Sequence, residues 1–206
     1  MIDYANAWLN EPEPLREART RADESGVDAI SPAVSALLTF LAASVQAQAV
    51  VEVGTGTGVS GAALLAGMTP GGILTSIDVE AEYQRYAREA FTALGHEAAR
   101  SRLIAGRAMD VLPRMSDGAY DMVVVDADRS EYPAIVDQAK RLLRIGGLVA
   151  FLGVGEDAMI ADPARRDAEA NAVKDTADAL RRDEDWVPAL LVDGSGLLVA
   201  CLTRRD

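Results

Sequence analysis

The stretch that decides the fold runs from residue 49 to residue 61 and reads AVVEVGTGTGVSG. A short β-branched run comes first, and the alternate glycines Gly54, Gly56 and Gly58 follow it directly. Glycine lets the backbone turn sharply and lets it approach a ligand closely. Helical spacing of apolar residues then begins near Val59. This order of strand, glycine-rich turn and helix predicts the first unit of an α/β sheet, with a ligand site at the turn.

The same alternation of strand and helix continues along the chain. Further strands are predicted at residues 72–78, 102–105 and 120–126, and after Gly146-Gly147. Helical segments separate them, and one earlier helix is predicted at residues 32–44. Such alternation is typical of parallel strands joined by helical crossovers. We therefore expect an open sheet that is covered by helices on both faces.

The C-terminal part of the chain departs from this pattern. A polar helix is predicted at residues 163–183, and two β-type runs, residues 186–192 and 197–203, flank the turn sequence 193–196. Two such runs around a glycine-containing turn predict a β-hairpin. The complete prediction is an α/β fold with a Rossmann-like, doubly wound, seven-stranded sheet, mostly parallel and ending in a C-terminal antiparallel hairpin.

Length and composition restrict the possible partners. The 206 residues suit one domain, residues 1–206, in which residues 1–30 are expected to form a helical lid segment. The net charge of −12 repels phosphate backbones, so no nucleic-acid partner is expected. The single cysteine, Cys201, excludes an intramolecular disulfide, which fits a cytoplasmic protein. No apolar stretch is long enough to span a membrane, and no secretory signal pattern opens the sequence.

The residues around the glycine run indicate what the turn binds. Gly56 to Gly61 match the G-x-G-x-x-G pattern of dinucleotide-binding proteins, which keeps a dinucleotide as one interpretation. Glu52 argues against it, because a carboxylate at the strand end repels a pyrophosphate and attracts a cationic amino group. Asp78 ends the next strand, where an acid accepts hydrogen bonds from ribose hydroxyls or caps the following helix. Glu52, Asp78 and the terminal hairpin together favour S-adenosylmethionine.

Two later loops carry further candidate residues. Residues 106–108 follow the third strand, in a position to lie against an adenine ring. Asp126 and Asp128 follow the fourth strand. Two acids at the carboxyl end of a strand can bind a metal, position a substrate or cap the next helix. All three interpretations of this pair stay open at this point.

Taken together, these segments resemble the bacterial branch of the caffeoyl-CoA and catechol O-methyltransferase family. The matching stretches are residues 50–60, 75–80 and 120–129, the glycines at 146–147, and the segment 30–32. The similarity extends from Ala29 to Leu152. It implies an S-adenosylmethionine-dependent enzyme that transfers a methyl group to a hydroxyl of a small phenolic acceptor. It also implies a homodimer.

The resemblance implies a role for each matching residue of the glycine-rich turn. Glu52, Gly54 and Ser60 would hold the methionine part of the cofactor. Thr55 and Gly56 would lie beside them in the same cofactor-binding loop. These five residues are therefore expected on one side of the cofactor site, next to the first strand of the sheet.

The remaining implied roles fall on residues outside that turn. Asp78 would hold the ribose, with Val79 and Ala108 near the adenine. Ile30 would close over the cofactor. Asp126 matches a residue that, in the family, touches both the cofactor and a catalytic metal.

The sequence departs from the family where the chemistry takes place. An Asp-Asn pair that completes the metal site in the family is replaced here by Leu152-Gly153. A leucine cannot bind a hard cation, and Mg²⁺ requires several oxygen ligands. A lysine of the family, a candidate base, is replaced by Arg129, which stays protonated. The expectation is therefore no metal site, with Asp126 the sole candidate ligand, and a general base drawn from Asp126 or Asp128.

Three hypotheses follow from these observations. The leading one is an S-adenosylmethionine-dependent O-methyltransferase that works without a metal. The second is a cofactor-binding protein with little catalysis, motivated by Leu152, Gly153 and Arg129. The third is an NAD-dependent oxidoreductase, motivated by the dinucleotide pattern alone.

Overall fold

A computed structural model describes residues 2–156, 159–191 and 195–205 of the chain. Its strands are β1 (Ala49–Val53), β2 (Ile73–Asp78), β3 (Ser101–Ala105), β4 (Tyr120–Val125), β5 (Leu143–Leu152), β6 (Trp186–Leu191) and β7 (Leu197–Leu202). They form one sheet in the order β3-β2-β1-β4-β5-β7-β6. The first five strands pair in parallel, and β7 pairs antiparallel with both β5 and β6. The predicted doubly wound sheet with a terminal hairpin is therefore confirmed.

Helices cover both faces of this sheet. They are α1 (Ile2–Trp8), α2 (Glu13–Glu24), α3 (Pro32–Ser44), α4 (Val59–Gly67), α5 (Ala81–Ala93), α6 (Ala108–Val111), α7 (Tyr132–Leu142) and α8 (Ala168–Arg182). Short 3₁₀ helices lie at Ala98–Arg100, Leu112–Arg114 and Arg129–Glu131. The apolar faces of α2 to α5 pack against one side of the sheet, and those of α6 to α8 against the other. None of the helices in the described ranges is both long and apolar enough to cross a membrane.

The side chains of β1 explain why the sheet has two cores. Successive residues of a strand point to opposite faces. Val50 accordingly joins the core under α3 and α4, whereas Val51 and Val53 join the core under α7. Glu52 shares the face of Val50, so the only charged side chain of this strand is buried among apolar residues.

Two element boundaries differ from the sequence-based expectation. The polar helix begins at Ala168 and not near residue 163, because the carboxylate of Asp167 accepts a hydrogen bond from the Ala170 amide at 3.0 Å and caps it. Strand β5 begins at Leu143, before the glycines at 146–147, and a register shift separates this start from the main pairing with β4. The predicted turn residues Asp193 and Gly194 lie outside the described residues.

A buried carboxylate fixes the start of β1 against its neighbours. The Asp121 side chain accepts hydrogen bonds from the amides of Gln48 and Ala49, at 2.7 and 2.9 Å. It also accepts one from the Arg144 Nε at 2.6 Å. These donors lower the pKa of Asp121 against the effect of its burial. The first residues of β1, β4 and the β5 bulge are therefore joined by one side chain.

We expect Asp121→Ala to lower the free energy of unfolding by about 2 kcal/mol, since it leaves two amides without their acceptor. Urea unfolding at pH 7 measures the change. The control is Asp117→Ala, which removes a surface ion pair with Arg141 and is expected to cost less than about 0.5 kcal/mol. Equal effects of the two substitutions would contradict the anchoring role of Asp121.

Candidate functional site

The carboxyl ends of β2, β1 and β4 lie side by side at the point where the strand order reverses. Ligands of open α/β sheets bind at such a point. Two adjoining cavities open there, with volumes of about 180 and 280 Å³. Both cavities are bordered by Gly54, Asp78 and Asp126. These three residues, each at the end of a different strand, therefore form the centre of the candidate site.

The first cavity lies between the glycine-rich turn and the N-terminal segment. Among the residues predicted to bind a cofactor, it is lined by Ile30, Gly54, Thr55, Gly56, Ser60, Asp78 and Asp126. Val27, Asp28, Thr57 and Tyr83 also border it. Ile30 is buried, and its carbonyl accepts a hydrogen bond from Arg19 of α2. The N-terminal segment thus closes one side of the cavity.

The second cavity lies between the ends of β2, β3 and β4. Among the predicted residues, it is lined by Gly54, Asp78, Val79, Ala108, Asp126 and Asp128. Val79 is 63% exposed, an unusual position for a large apolar side chain. Residues 106–108 form the opposite wall, as expected for a loop that lies against an aromatic ring. The walls of this cavity therefore combine apolar residues, such as Val79 and Ala108, with charged ones, such as Arg107 and Glu131.

Asp78 holds the glycine-rich turn in place. Its Oδ2 accepts hydrogen bonds from the amides of Thr55 and Gly56, at 2.8 and 3.0 Å. Its Oδ1 accepts one from the Glu80 amide at 2.9 Å. The carboxylate thus organises the loop that surrounds the first cavity, and it also borders both cavities. The sequence indicated a ribose contact or a helix cap, and this bond to the turn was not foreseen.

Gly54 is required by the packing between β1 and β4. Its φ of +94° lies in the left-handed region. A Cβ at this position would lie 1.8 Å from the Asp126 carbonyl oxygen, so no residue with a side chain fits there. The Asp126 amide in turn donates to the Val53 carbonyl at 2.7 Å. The first glycine of the run therefore brings the ends of β1 and β4 into direct contact.

Glu52 begins a buried chain of polar groups beneath the turn. Its Oε2 accepts a hydrogen bond from the Ser76 hydroxyl at 2.5 Å, and Ser76 also bonds to the Thr55 hydroxyl at 2.7 Å. Its Oε1 is buried and has no hydrogen-bond partner in the described part of the chain. Burial raises the pKa of Glu52 to about 7, and the nearby hydroxyls of Ser76 and Ser60 oppose this shift. A carboxylate in this setting is stabilised by a nearby cation.

The two candidate bases differ in their surroundings. Asp126 is partly buried, and its burial together with the negative charge of Glu156 raises the pKa of its carboxyl to about 6, while Arg129 opposes the shift. Asp128 is exposed and accepts hydrogen bonds from the amide and hydroxyl of Ser130, which lower its pKa. Asp126 therefore occupies the junction of both cavities, whereas Asp128 caps a 3₁₀ helix at the rim of one.

The residues present do not fit a divalent metal site. Within the described ranges, no group of three or more His, Cys, Asp or Glu side chains is arranged to hold a metal ion. Leu152 is buried and apolar, and Gly153 has no side chain. The guanidinium of Arg129 lies beside Gly153 and donates to its carbonyl at 3.3 Å. A cationic group next to Asp126 opposes binding of a second cation.

Three residues of the site were missed by the sequence analysis. The Thr57 hydroxyl donates to the Ala18 carbonyl at 2.8 Å and so ties the turn to α2. Tyr83 lies on α5 and borders the first cavity. Asp28 borders the same cavity, and its charge raises the pKa of Asp126. The spacing of residues along the sequence does not predict any of these contacts, because each depends on how the N-terminal segment folds back.

The comparisons with known proteins agree on one family. The profile of a family described as O-methyltransferase matches residues 8–203. A predicted O-methyltransferase of Mycobacterium marinum is 46% identical over 197 residues, which cover 96% of this chain and 88% of that protein. This agreement confirms the resemblance on which the residue roles were based.

Solved structures extend the comparison to the fold. A crystal structure of a Corynebacterium glutamicum protein has a TM-score of 0.90 and 30% identity, and the match covers 98% of this chain and 95% of that one. The O-methyltransferase TomG of Streptomyces achromogenes, which is involved in tomaymycin synthesis, was solved in complex with SAM. Its TM-score is 0.84 at 28% identity, covering 95% of this chain and 92% of TomG.

The buried state of Glu52 predicts an effect of pH on stability. Its carboxyl keeps a proton up to a pH of about 7 in the folded chain but only to about 4.5 when unfolded, so this group costs stability as pH rises between those values. Glu52→Gln removes the ionisation. We expect it to raise the free energy of unfolding of the ligand-free protein by up to about 3 kcal/mol at pH 8.

Urea unfolding at pH 8 and at pH 4.5 measures this effect. The difference between variant and wild type should fall toward zero at pH 4.5, where both folded proteins carry a neutral side chain at position 52. A substitution that destabilises at pH 8 would show that the carboxylate is compensated inside the ligand-free protein.

Proposed function

The chain belongs to the O-methyltransferase family, and on that premise we propose that it transfers the methyl group of S-adenosylmethionine to a hydroxyl oxygen of a small phenolic acceptor without a divalent metal. The observation that carries this proposal is the meeting of two cavities at Asp126, above a buried acid, Glu52, one oxygen of which has no hydrogen-bond partner among the described residues. Two adjoining cavities suit a cofactor that consists of a methionine part and an adenosine part. The buried carboxyl of Glu52 suits a cationic amino group.

The electrostatics of the glycine-rich turn support S-adenosylmethionine over a dinucleotide. Glu52, Asp78 and Asp126 all surround the turn, and a pyrophosphate brought to it would be repelled by three carboxyl groups. A sulfonium compound with an ammonium group gains from the same charges. The NAD-dependent hypothesis is therefore the weaker one, and fluorescence titration with NADH tests it directly.

We assign the two cavities to the two halves of the cofactor. The methionine part is assigned to the first cavity, beside Ser60 and the turn from Gly54 to Gly56, with Ile30 as its cover. The adenosine is assigned to the second cavity, where Asp78 accepts from the ribose and Val79 packs on the adenine opposite Ala108. The apolar exposure of Val79 supports this orientation.

The proposed reaction uses one acid of this chain. S-adenosylmethionine supplies a methyl carbon bound to a positively charged sulfur. The hydroxyl of the acceptor gives its proton to the Asp126 carboxylate, and its oxygen forms the bond to the methyl carbon as the C–S bond breaks and its electron pair stays on sulfur. The walls of the two cavities hold the reacting groups together, which by itself contributes a large part of such a rate acceleration.

We also propose that the protein is a cytoplasmic homodimer. Large apolar side chains stand exposed on its surface, as Tyr4, Trp8 and Phe40 near the N-terminal helices and Val187 on the edge strand β6. Surfaces of this kind commonly mark contacts between chains. The free Cys201 suits a reducing compartment. Sedimentation analysis gives the oligomeric state, and a monomer at micromolar concentration would contradict the dimer.

Calorimetry with S-adenosylhomocysteine tests the cofactor assignment. We expect the wild type to bind it, and Asp78→Ala to weaken binding by at least about tenfold through loss of a ribose acceptor and of the bonds that hold the turn. The control is Asp110→Ala, an exposed acid on α6, which should leave the affinity unchanged. Folded wild type that binds no S-adenosylhomocysteine would contradict the proposed function.

Turnover tests the proposed base. With a panel of phenolic and catecholic acceptors, we expect Asp126→Asn to lower the rate of S-adenosylhomocysteine formation by about a hundredfold or more while the affinity for S-adenosylhomocysteine is retained. Asp137→Asn, an exposed acid on α7, is the control. A larger loss in Asp128→Asn than in Asp126→Asn would transfer the role to Asp128. Binding without turnover of any acceptor would favour the cofactor-binding hypothesis.

A further inference from the structure

An arginine side chain lies beside Gly153, a position where the family resemblance implies a metal ligand. Arg129 begins the 3₁₀ helix that follows β4, and its side chain turns back toward the end of β5. The Nε donates to the Gly153 carbonyl at 3.3 Å, and the guanidinium forms an ion pair with Glu156. Its Nη1 lies 3.9 Å from a carboxylate oxygen of Glu169 on α8. The loop after β5 and helix α8 therefore both contact this cation.

The guanidinium fills the space that a side chain at position 153 would take. A Cβ built on Gly153 would lie 2.6 Å from the Arg129 Nη2 and 3.4 Å from its Cζ. The φ of Gly153 is +69°, which also disfavours a side chain there. Position 153 is where the resemblance implies an asparagine ligand of the metal. The Arg129 guanidinium therefore lies directly against the backbone of Gly153.

The charge of Arg129 acts on the centre of the site. It lowers the pKa of the Asp126 carboxyl, against the effects of burial and of Glu156, so its positive charge reaches the point where the two cavities meet. An arginine guanidinium carries a positive charge in proteins. The site therefore contains a permanent cation, supplied by the chain itself.

Part of the guanidinium is available to a ligand. Its side chain is 22% exposed. The group carries five N–H donors, and the hydrogen bonds within the described ranges, to Gly153 and Glu156, use two nitrogens, Nε and Nη2. Within the described ranges, the Nη1 atom makes only a long ion pair, with Glu169. An oxygen of an acceptor can therefore receive a charge-assisted hydrogen bond without displacing the anchors.

We propose that the Arg129 guanidinium takes the place of the divalent cation, binding the oxygen of the acceptor and stabilising the phenolate that develops when the hydroxyl loses its proton. Such pre-organised donors are among the largest contributors to catalysis when they face developing charge. The inference rests on the proposed function, because it assigns a further catalytic residue to the same methyl transfer. It also accounts for the simultaneous presence of Arg129 and Gly153.

The test follows the ionisation of a chromophoric catechol, 4-nitrocatechol, bound to the full-length protein saturated with S-adenosylhomocysteine in the presence of EDTA. Its absorption spectrum reports the phenolate directly, without turnover. We expect the bound probe to ionise about one pH unit below the free probe in the wild type, and to lose this shift in Arg129→Gln. The control is Arg182→Gln, which removes a surface ion pair with Asp178 on α8 and should keep the wild-type shift.

Three results would overturn the proposal. The first is an equal ionisation shift in Arg129→Gln and wild type, and the second is an unshifted or unbound probe in the wild type. The third is binding of Mn²⁺ at micromolar concentration by wild type loaded with S-adenosylhomocysteine, measured by electron paramagnetic resonance titration. Arg129→Lys keeps the positive charge but changes the geometry of its hydrogen-bond donors, so it should retain part of the ionisation shift. This variant takes the place of Arg129→Gln in the test if the glutamine variant fails to fold. Loss of S-adenosylhomocysteine binding by the wild type would instead contradict the proposed function.

Discussion

The contact between Gly54 and the carbonyl of Asp126 is the constraint on which the rest of the site depends. It joins the ends of β1 and β4, the two strands between which the order of the sheet reverses. A methyl group at residue 54 would lie 1.8 Å from the Asp126 oxygen, so the close approach exists only with glycine. Because the helices that follow β1 and β4, α4 and α7, lie on opposite faces of the sheet, the loops after these strands diverge and leave space between them. That space is occupied by the two cavities, and Asp126 borders both because it stands at the point of contact.

The polar groups around this contact act on one another through the turn. Asp78 fixes the amides of Thr55 and Gly56, and Thr55 bonds through Ser76 to Glu52. A chain of hydrogen bonds thus runs from the half-buried end of β2 to a buried carboxyl whose second oxygen has no partner in the part of the chain that the structure describes. Unsatisfied buried carboxyl groups are costly, so a protein that keeps one carries a free-energy penalty that a cationic ligand relieves. The preference for a positively charged cofactor is in this sense already present in the ligand-free chain.

Most of the fold was predictable because its signals are local. The alternation in β1 to β5, the glycines of the turn and the two runs around residues 193–196 each specify an element from neighbouring residues. The site was predictable where it follows strand ends, as at Asp78 and Asp126. It was not predictable where it depends on distant parts of the chain. Tyr83 has the spacing of a core residue, and only the approach of the N-terminal segment makes it border a cavity. The sequence likewise showed that Leu152 and Gly153 offer no side-chain ligand to a metal. It did not show that the Arg129 guanidinium occupies the space next to Gly153.

If Arg129 takes the place of a divalent ion, as proposed above, the exchange has a consequence for the acceptor. Two unit charges about 4 Å apart interact by roughly 4 kcal/mol at an effective dielectric constant of about 20, and a dication at the same distance contributes about twice that. Glu156 also pairs with Arg129 and reduces its net effect on a neighbouring oxygen. A site of this kind stabilises a phenolate less than a metal does, so the remaining acidity must come from the acceptor itself. Phenols that carry electron-withdrawing groups meet this requirement, because they lose the hydroxyl proton more readily to a carboxylate such as Asp126. The chemistry of Arg129 thus selects the acceptor by its acidity, whereas a metal site selects it by its ability to chelate.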